Sequence, residues 1–394
     1  MTERLYYTDA YLTDFDAAVV ARSDDRRRIY LDRTAFYPTS GGQPFDTGWL
    51  GDAAVTDVVD EGDRIAHVLA APIPGERIHG RVDWPRRFDH MQQHTGQHLL
   101  SAVVAGRFGV PTVSVHFGTD ASTLDLETGG FSPEQTAEAE ARANQAVTDN
   151  RPVVVSFEDA ASAPGLRKTP GREGILRIVT IEGLDRSACG GTHVRATGEI
   201  GPILIRKVER VKQLVRLEFV CGARAVRRAR ADAELLAALA RAQSAGAEEL
   251  PVLLEAQRAE LKAATQARRA LEEALAGYRA RELHASLAPD TRGRRVALVR
   301  EAGGPLEPLR ALAQAYGGLP GGIIVGVVER PAAVVLGASA DSGVDAGAVL
   351  KAALAASGGR GGGNARVAQG SVKPASELEA VIAALLAAVG AEAY

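Results

Sequence analysis

Two cysteines among 394 residues cannot build a disulfide framework; so sparse a complement reads as reduced thiols in a cytoplasmic protein. Long apolar runs are missing as well. No stretch of 18 or more apolar residues occurs, which excludes a membrane-spanning helix. The amino terminus, MTERLYYTDAYLTDFDA, has neither a basic segment nor an apolar one and is not a signal peptide. Charge of one sign is absent too: 46 Lys and Arg stand against 49 Asp and Glu, a net charge of −3. That balance excludes a globally basic nucleic-acid coat but leaves room for a local basic face. The 42 glycines and 18 prolines fall below the share that marks disorder. At roughly 100–200 residues per domain, the length suggests two or three domains.

Residues 1–80 contain short β-rich runs, LYYTDAYL, AAVVARS, RRRIYLDRT, AAVTDVVDE and RIAHVLA, separated by Gly/Pro/Asp punctuation. This spacing predicts a small N-terminal β-barrel or meander. Residues 81–224 mix elements: a helical run RRFDHMQQHTGQHLLSAVVAGRF, a Ser-capped amphipathic helix from Ser132, and strands such as PVVVSFED, ILRIVTI and LVRLEFV. After Gly222 the composition turns rich in Ala, Leu, Glu and Arg, interrupted by SAGAEELP. Residues 225–290 therefore predict a helical hairpin. Leu254, Leu261, Leu271, Leu275 and Tyr278 follow a heptad register that Gln257 and Arg268 weaken, so a dimeric coiled coil is the alternative. From Arg295 β and α patterns alternate, which makes residues 291–394 a small α/β domain, with the loop GGRGGGNARVAQGS between its last two helices. The fold class expected for the whole chain is α+β.

The chemistry gathers in two short motifs. In His94-Thr95-Gly96-Gln97-His98 two imidazoles lie four apart on one helix face and can converge on one ion. In Cys189-Gly190-Gly191-Thr192-His193 a thiol and an imidazole flank two glycines. Either pair alone suits a solvated histidine pair or a buried thiol beside a turn. Together they offer one sulfur and three nitrogens, a Zn²⁺ donor set. No Glu follows His94, so the water-activating base of an HExxH protease helix is missing. His90, one turn earlier, fits a partner of the ligands, a phosphate contact or a surface position. Cys221 reads as core. In Phe36-Tyr37-Pro38-Thr39-Ser40-Gly41-Gly42-Gln43 the glycines let backbone N–H groups approach a ligand, or simply make a hairpin turn. Residues 206–230 carry Arg206, Lys207, Arg210, Lys212, Arg216, Arg224, Arg227, Arg228 and Arg230 against Glu209 and Glu218, a stretch able to meet a phosphate backbone or to sit solvated with paired charges.

HTGQH followed by CGGTH, with FYPTSGGQPFDTG upstream, resembles the editing domain of alanyl-tRNA synthetases and the freestanding alanyl-tRNA editing proteins of the AlaX family. The helical tail and GGRGGGNARVAQGS resemble the DHH-associated C-terminal domain of the same synthetases. The resemblance implies the long freestanding form, a trans-editing hydrolase that deacylates tRNA(Ala) mischarged with serine or glycine. It implies zinc ligands at His94, His98, Cys189 and His193. Gly41, Gly42 and Gln43 fall beside the amino-acid pocket, with Gln43 and Thr39 at the reacting end and Thr39 recognising the substrate hydroxyl. Arg216 is expected on the substrate. Gly359, Arg360, Gly361, Gly362 and Gly363 fall on a segment implied in tRNA binding, and the helical and C-terminal regions on a homodimer contact. A non-catalytic zinc-containing tRNA-binding protein is the alternative from another class.

Overall fold

The structure is a computed structural model that describes residues 1–161, 163–168, 171 and 173–391. The chain divides into two compact units, Met1–Ala242 and Gln243–Tyr394.

The first unit begins with a closed six-stranded barrel. Its strands run in the order Asp14–Arg22, Arg28–Leu31, Ile65–Leu69, Ala53–Asp60, Gly48–Leu50, Arg77–Val82. Closure comes from Asp14–Ala18 pairing antiparallel with Arg77–Arg81. Along Arg77–Val82 burial alternates strictly, with Ile78, Gly80 and Val82 inward and two arginines and a histidine outward. This is the period of a strand with one buried face. The expected strand at Leu5–Leu12 is a 3₁₀ turn over Leu5–Tyr7 instead. Sequence reading passed over Gly48–Leu50, which is too short to show alternation, and Arg77–Val82, whose outward face is charged.

Asp83 caps the next helix, α1 (Trp84–Phe108): its side chain accepts the Arg86 N–H, and Pro85 occupies the first turn, where a missing N–H costs nothing. Gly109, in the left-handed conformation at φ 67°, ends it. From His90 to Val104 α1 is buried on every side, so it forms the spine of the unit. Around it lie helix α2 (Pro133–Thr148), closed by a Ser132–Gln135 capping box, and two antiparallel sheets. One sheet has the order Ile203–Val211, Leu214–Cys221, Ser122–Leu126, Thr112–Phe117, and the other Val153–Asp159, Ile175–Ile181, Asp185–Ala188. Leu99, Leu100, Val104, Leu124, Val179, Ile181, Leu217 and Phe219 pack into one core. Helix α3 (Gly222–Ala242) follows within the same unit.

A fully buried ion pair ties the barrel to α1. Both Arg87 and Asp46 have side chains without solvent exposure. The Arg87 guanidinium donates to both Asp46 oxygens and to the carbonyls of Ala10 (2.8 Å) and Ala35 (2.6 Å), and Asp46 also accepts the Tyr37 N–H at 2.6 Å. Removing one partner of such a pair strands a buried charge.

The second unit starts with helix α4 (Leu250–Ser286), on which Leu254, Leu261, Leu271, Leu275 and Tyr278 are exposed. A five-stranded sheet follows in the order Arg295–Glu301, Gly322–Val328, Ala333–Ala338, Val367–Ser371, Arg360–Gly363. Its first pair is parallel and the others antiparallel. Gly322–Val328 is buried on both faces, which explains its unbroken apolar run. Helices α6 (Ala346–Ala355) and α7 (Leu378–Ala388) share one core with the sheet; α5 (Glu307–Tyr316) and Ala280 of α4 share a second. The expected glycine-rich loop is an antiparallel hairpin, Arg360–Gly363 against Val367–Ser371. Close approach requires its glycines: a Cβ on Gly361 would stand 2.6 Å from the Gln369 carbonyl oxygen.

Candidate metal centre

The two histidine-bearing motifs meet. His94 and His98 come from the buried middle of α1, and Cys189 and His193 from the turn after Asp185–Ala188. One potential ligand atom from each lies within 4.8 Å of all the others. Cys189 Sγ stands 3.4 Å from His94 Nε2 and 3.3 Å from His193 Nε2. Tetrahedral zinc with metal–N of about 2.0–2.1 Å and metal–S of about 2.3 Å needs N···S edges of about 3.5 Å. The donor set fits that ion.

Each imidazole is aimed by a partner on its other nitrogen. His94 Nδ1 meets Gln43 Oε1 at 2.8 Å, His98 Nδ1 meets Asp185 Oδ2 at 2.9 Å, and His193 Nδ1 meets Thr95 Oγ1 at 3.1 Å. All three Nε2 atoms are thereby left for the centre, the arrangement that fixes tautomer and ring orientation in metal sites. Gln43 is doubly anchored, because its Oε1 also accepts the Thr192 N–H (3.1 Å) and its Nε2 donates to Thr192 Oγ1 (2.8 Å). Asp185 is held in turn by Arg167 and Ser187. The Arg177 guanidinium donates to the carbonyls of Cys189 (2.7 Å), Gly191 (2.9 Å) and Tyr7 (3.0 Å), which pins the Cys189–His193 turn.

The electrostatics suit a thiolate among imidazoles. Burial acts to raise the Cys189 thiol, but His94 and His193 outweigh it and hold it well below the ordinary thiol range. Burial lowers His193 to about 3, with His94 adding to the effect. At His98 burial again acts downward, but hydrogen bonds to Asp185 and Cys189 prevail and raise it to about 9. Metal binding must displace such protons, so it is coupled to pH.

The glycines have separate reasons. Gly41 and Gly42, at φ 56° and 86°, form the two-residue turn of a tight hairpin in which Ser40 and Gln43 exchange both backbone hydrogen bonds. A Cβ on Gly191 would fall 2.2 Å from His94 Cε1, and one on Gly96 2.3 Å from Cys221 Sγ. Only glycine lets the ligand turn and the buried Cys221 approach α1 this closely.

The other expected site residues have partners of their own. Thr39 is exposed, its Oγ1 accepting the Phe45 N–H at 3.1 Å. The Arg216 guanidinium is engaged by Asp125 through Nε (2.7 Å) and Nη2 (2.9 Å). Gly359, Arg360, Gly361, Gly362 and Gly363 belong to the second unit, at the edge of its sheet. Several basic residues of 206–230 are already paired: Lys207 with Glu209, Arg206 and Arg228 with Asp232, Arg224 with Asp89. Sequence reading missed Thr95 and Thr192, although both stand inside the quoted motifs. It also missed Arg177 and Asp185, single residues in strands that carry no local signal.

Comparison with known proteins identifies the family. Residues 176–218 match the threonyl and alanyl tRNA synthetase second additional domain, and residues 307–391 match the DHHA1 domain. The alanyl-tRNA editing protein AlaX-M of Methanosarcina acetivorans is 39% identical over 233 residues, which cover 53% of this chain and 94% of that protein. AlaX-L of Pyrococcus horikoshii is 38% identical over 242 residues, covering 57% of this chain and 59% of its own length. The alanine–tRNA ligase of Pyrococcus abyssi is 32% identical over 404 residues, covering 98% of this chain. The chain spans only 43% of that ligase. The chain belongs to the family of AlaX-type alanyl-tRNA editing proteins.

Proposed function

We propose that the protein is a zinc-dependent aminoacyl-tRNA deacylase that acts in trans in the cytoplasm, hydrolysing the ester that joins serine or glycine to the terminal ribose of tRNA(Ala). One observation carries this reading: the Gly41-Gly42-Gln43 turn and the four-donor cluster form a single hydrogen-bonded unit through Gln43, His94 and Thr192. The need for such an activity follows from pocket physics. An alanine site rejects an added hydroxyl by only about 10²-fold, whereas a site that hydrogen-bonds the hydroxyl rejects its absence by about 10⁴–10⁵. Thr39 supports that second kind of site. Its Oγ1 accepts a backbone N–H, so its own proton is free to reach a substrate oxygen. Gln43 acts through His94, as a positioning residue.

Zinc, when bound, supplies charge to polarise the ester carbonyl or to hold the substrate amine. His94, His98, Cys189 and His193 would hold it. Four protein donors are also the pattern of a closed, purely structural site, and that favours a second reading, a non-catalytic tRNA-binding protein. The second unit would supply tRNA affinity. Arg360 and the glycines beside it lie on an edge strand, where unpaired backbone N–H groups can meet phosphate. A barrel at 1–80, an editing domain at 81–224, a helical segment at 225–290 and a tRNA-binding domain at 291–394 divide the work in this reading.

Deacylation of Ser-, Gly- and Ala-tRNA(Ala) separates the readings. The enzyme should cleave the first two and spare the third, and Thr39→Val should narrow the serine-over-alanine margin. Absence of turnover by zinc-loaded protein that still binds tRNA would establish the non-catalytic reading.

A further inference from the structure

Beside the metal cluster lies a cavity of about 780 Å³ that the metal centre does not use. Phe117 connects the two: its ring packs 5.0 Å from the His94 ring, and it also lines the cavity. Arg86 and His90 of α1, His116, and Arg224 and Arg227 of α3 form much of the remaining wall. The one carboxylate among the lining residues, Asp89, is consumed by Arg224, whose Nε and Nη2 bond it at 2.6–3.0 Å. Among the described residues Arg86 and Arg227 form no ion pair; the Arg86 Nε donates only to the Phe45 carbonyl. The cavity therefore carries uncompensated positive charge.

His90 adds the polar signal. The residue is 6% exposed, and its Nδ1 is buried without any hydrogen-bonding partner. A buried lone pair without a partner costs less than a buried N–H without one, so the proton belongs on Nε2, which becomes a donor. Burial, with Arg86 adding to it, lowers His90 to about 4 and leaves it uncharged at neutral pH.

We propose that this cavity binds the 3′-terminal nucleotides of the tRNA acceptor strand, Arg86 and Arg227 taking the phosphate charge and His90 giving one hydrogen bond. The assignment rests on the deacylase reading, which requires the esterified ribose at the metal cluster and so places the adjoining nucleotide next to it. A single strand suits the site better than a duplex. The cavity offers the Phe117 and Phe88 rings for base contact and, among the described residues, two cations without an ion pair rather than a long basic stripe.

The probe is a fluorescent single-stranded RNA hexamer ending in CCA, titrated into the full-length zinc-loaded protein over a salt series. Arg227→Gln should weaken binding roughly five- to tenfold and reduce the salt slope by about 0.7, the value for one single-strand phosphate contact. His90→Leu should weaken binding with the slope unchanged, because the contribution is a hydrogen bond and not a charge, and His90→Gln should restore part of the loss. Arg230→Gln, at a cation outside the cavity that forms no ion pair among the described residues, should change neither quantity. With Ser-tRNA(Ala), Arg227→Gln should raise KM more than it lowers kcat.

The outcomes separate cleanly. If Arg230→Gln lowers affinity and slope as much as Arg227→Gln does, the charge acts at long range and the cavity assignment is overturned. Displacement of the hexamer by micromolar inorganic phosphate would overturn it too, in favour of a free-anion site. Hexamer binding that follows the expected pattern in a protein without deacylase activity would sink the enzymatic reading and leave the cavity standing. Normal deacylation with KM unchanged in Arg86→Gln/Arg227→Gln would do the reverse.

Discussion

The aiming of three imidazoles by three different partners gives a graded test of the metal centre. Loss of an outer hydrogen-bond partner of a metal-bound histidine weakens metal affinity about 10- to 100-fold, or about 1.4–2.7 kcal/mol. The structure orders the three. Asp185→Asn removes a buried charge 2.9 Å from His98 Nδ1. Gln43→Leu removes the 2.8 Å partner of His94 and also frees Thr192, so two of the four ligand-bearing positions loosen. Thr95→Val removes the longest of the three bonds, 3.1 Å to His193, and leaves the backbone of Val194 without its Oγ1 acceptor. The first two should fall in the upper part of the range, and Thr95→Val near tenfold. Competition with a chelator of known zinc affinity reads these numbers, and circular dichroism confirms that each variant is folded. Asp89→Asn is the control: a carboxylate on the same helix, committed to Arg224, that should leave zinc affinity within twofold. If Asp185→Asn and Gln43→Leu also stay within twofold, these Nδ1 partners do not orient the ligands, and the Nε2-inward arrangement is wrong.

Gly191→Ala has a clean steric meaning, because the added methyl carbon would sit 2.2 Å from the His94 ring; the variant should fold and lose zinc, and full zinc occupancy by mass spectrometry would contradict the geometry. Arg87→Met should cost about 3–5 kcal/mol of stability by stranding Asp46, and the double variant with Asp46→Leu should cost clearly less than the two singles added, with urea unfolding as the measure. His67 is fully buried, with its Nε2 on Thr34 Oγ1, and burial lowers it from 6.5 to about 4. The unfolded chain binds its proton first, so this stability is whole above pH 6.5, falls as pH drops toward 4, and amounts to about 3 kcal/mol; His67→Gln should flatten that part of the pH–stability curve.

The sequence made the candidate metal centre legible because its four donor residues sit in two compact motifs whose spacing matches helix and turn geometry. The histidines at 94 and 98 needed only the helical period to be seen as a pair. The partners that aim them were hidden for a physical reason: Asp185 and Arg177 are brought in by strand pairing, between Ile175–Ile181 and Asp185–Ala188, and pairing leaves no mark at a single residue. Gln43 was expected at the reacting end, and its side chain is hydrogen-bonded to His94 and Thr192, partners that no local pattern announces. The basic stretch from Arg206 to Arg230 looked like one patch in the sequence. Alternation along the strands and partners on neighbouring elements neutralise much of it, and Arg227 and Arg230 are left unpaired on α3 among the described residues. The glycine-rich tail read as a loop because five glycines among the six residues 358–363 suppress any strand pattern; the pairing with Val367–Ser371 came from the partner strand.

The barrel's place in this architecture follows from what the metal centre requires. Gln43 lies 51 residues from His94 in sequence, and Cys189 lies 95 residues from it on the other side. A hydrogen bond of 2.8 Å between groups so far apart holds only if the turn that carries Gln43 is registered against α1 to a fraction of an ångström. The hairpin Ser40–Gln43 cannot supply that registration alone, because Gly41 and Gly42 have no side chains with which to pack. Asp46, three residues after Gln43, and Arg87, seven residues before His94, meet in a site with no solvent exposure and share six hydrogen bonds with carbonyls, an amide and each other. A buried pair of this kind gains little net stability over apolar packing. Its directional bonds instead exclude slippage, because any shift of the turn along the helix would leave a charge without its partner. The pair therefore sets where the barrel turn meets α1, and through Gln43 it sets the angle of the His94 ring.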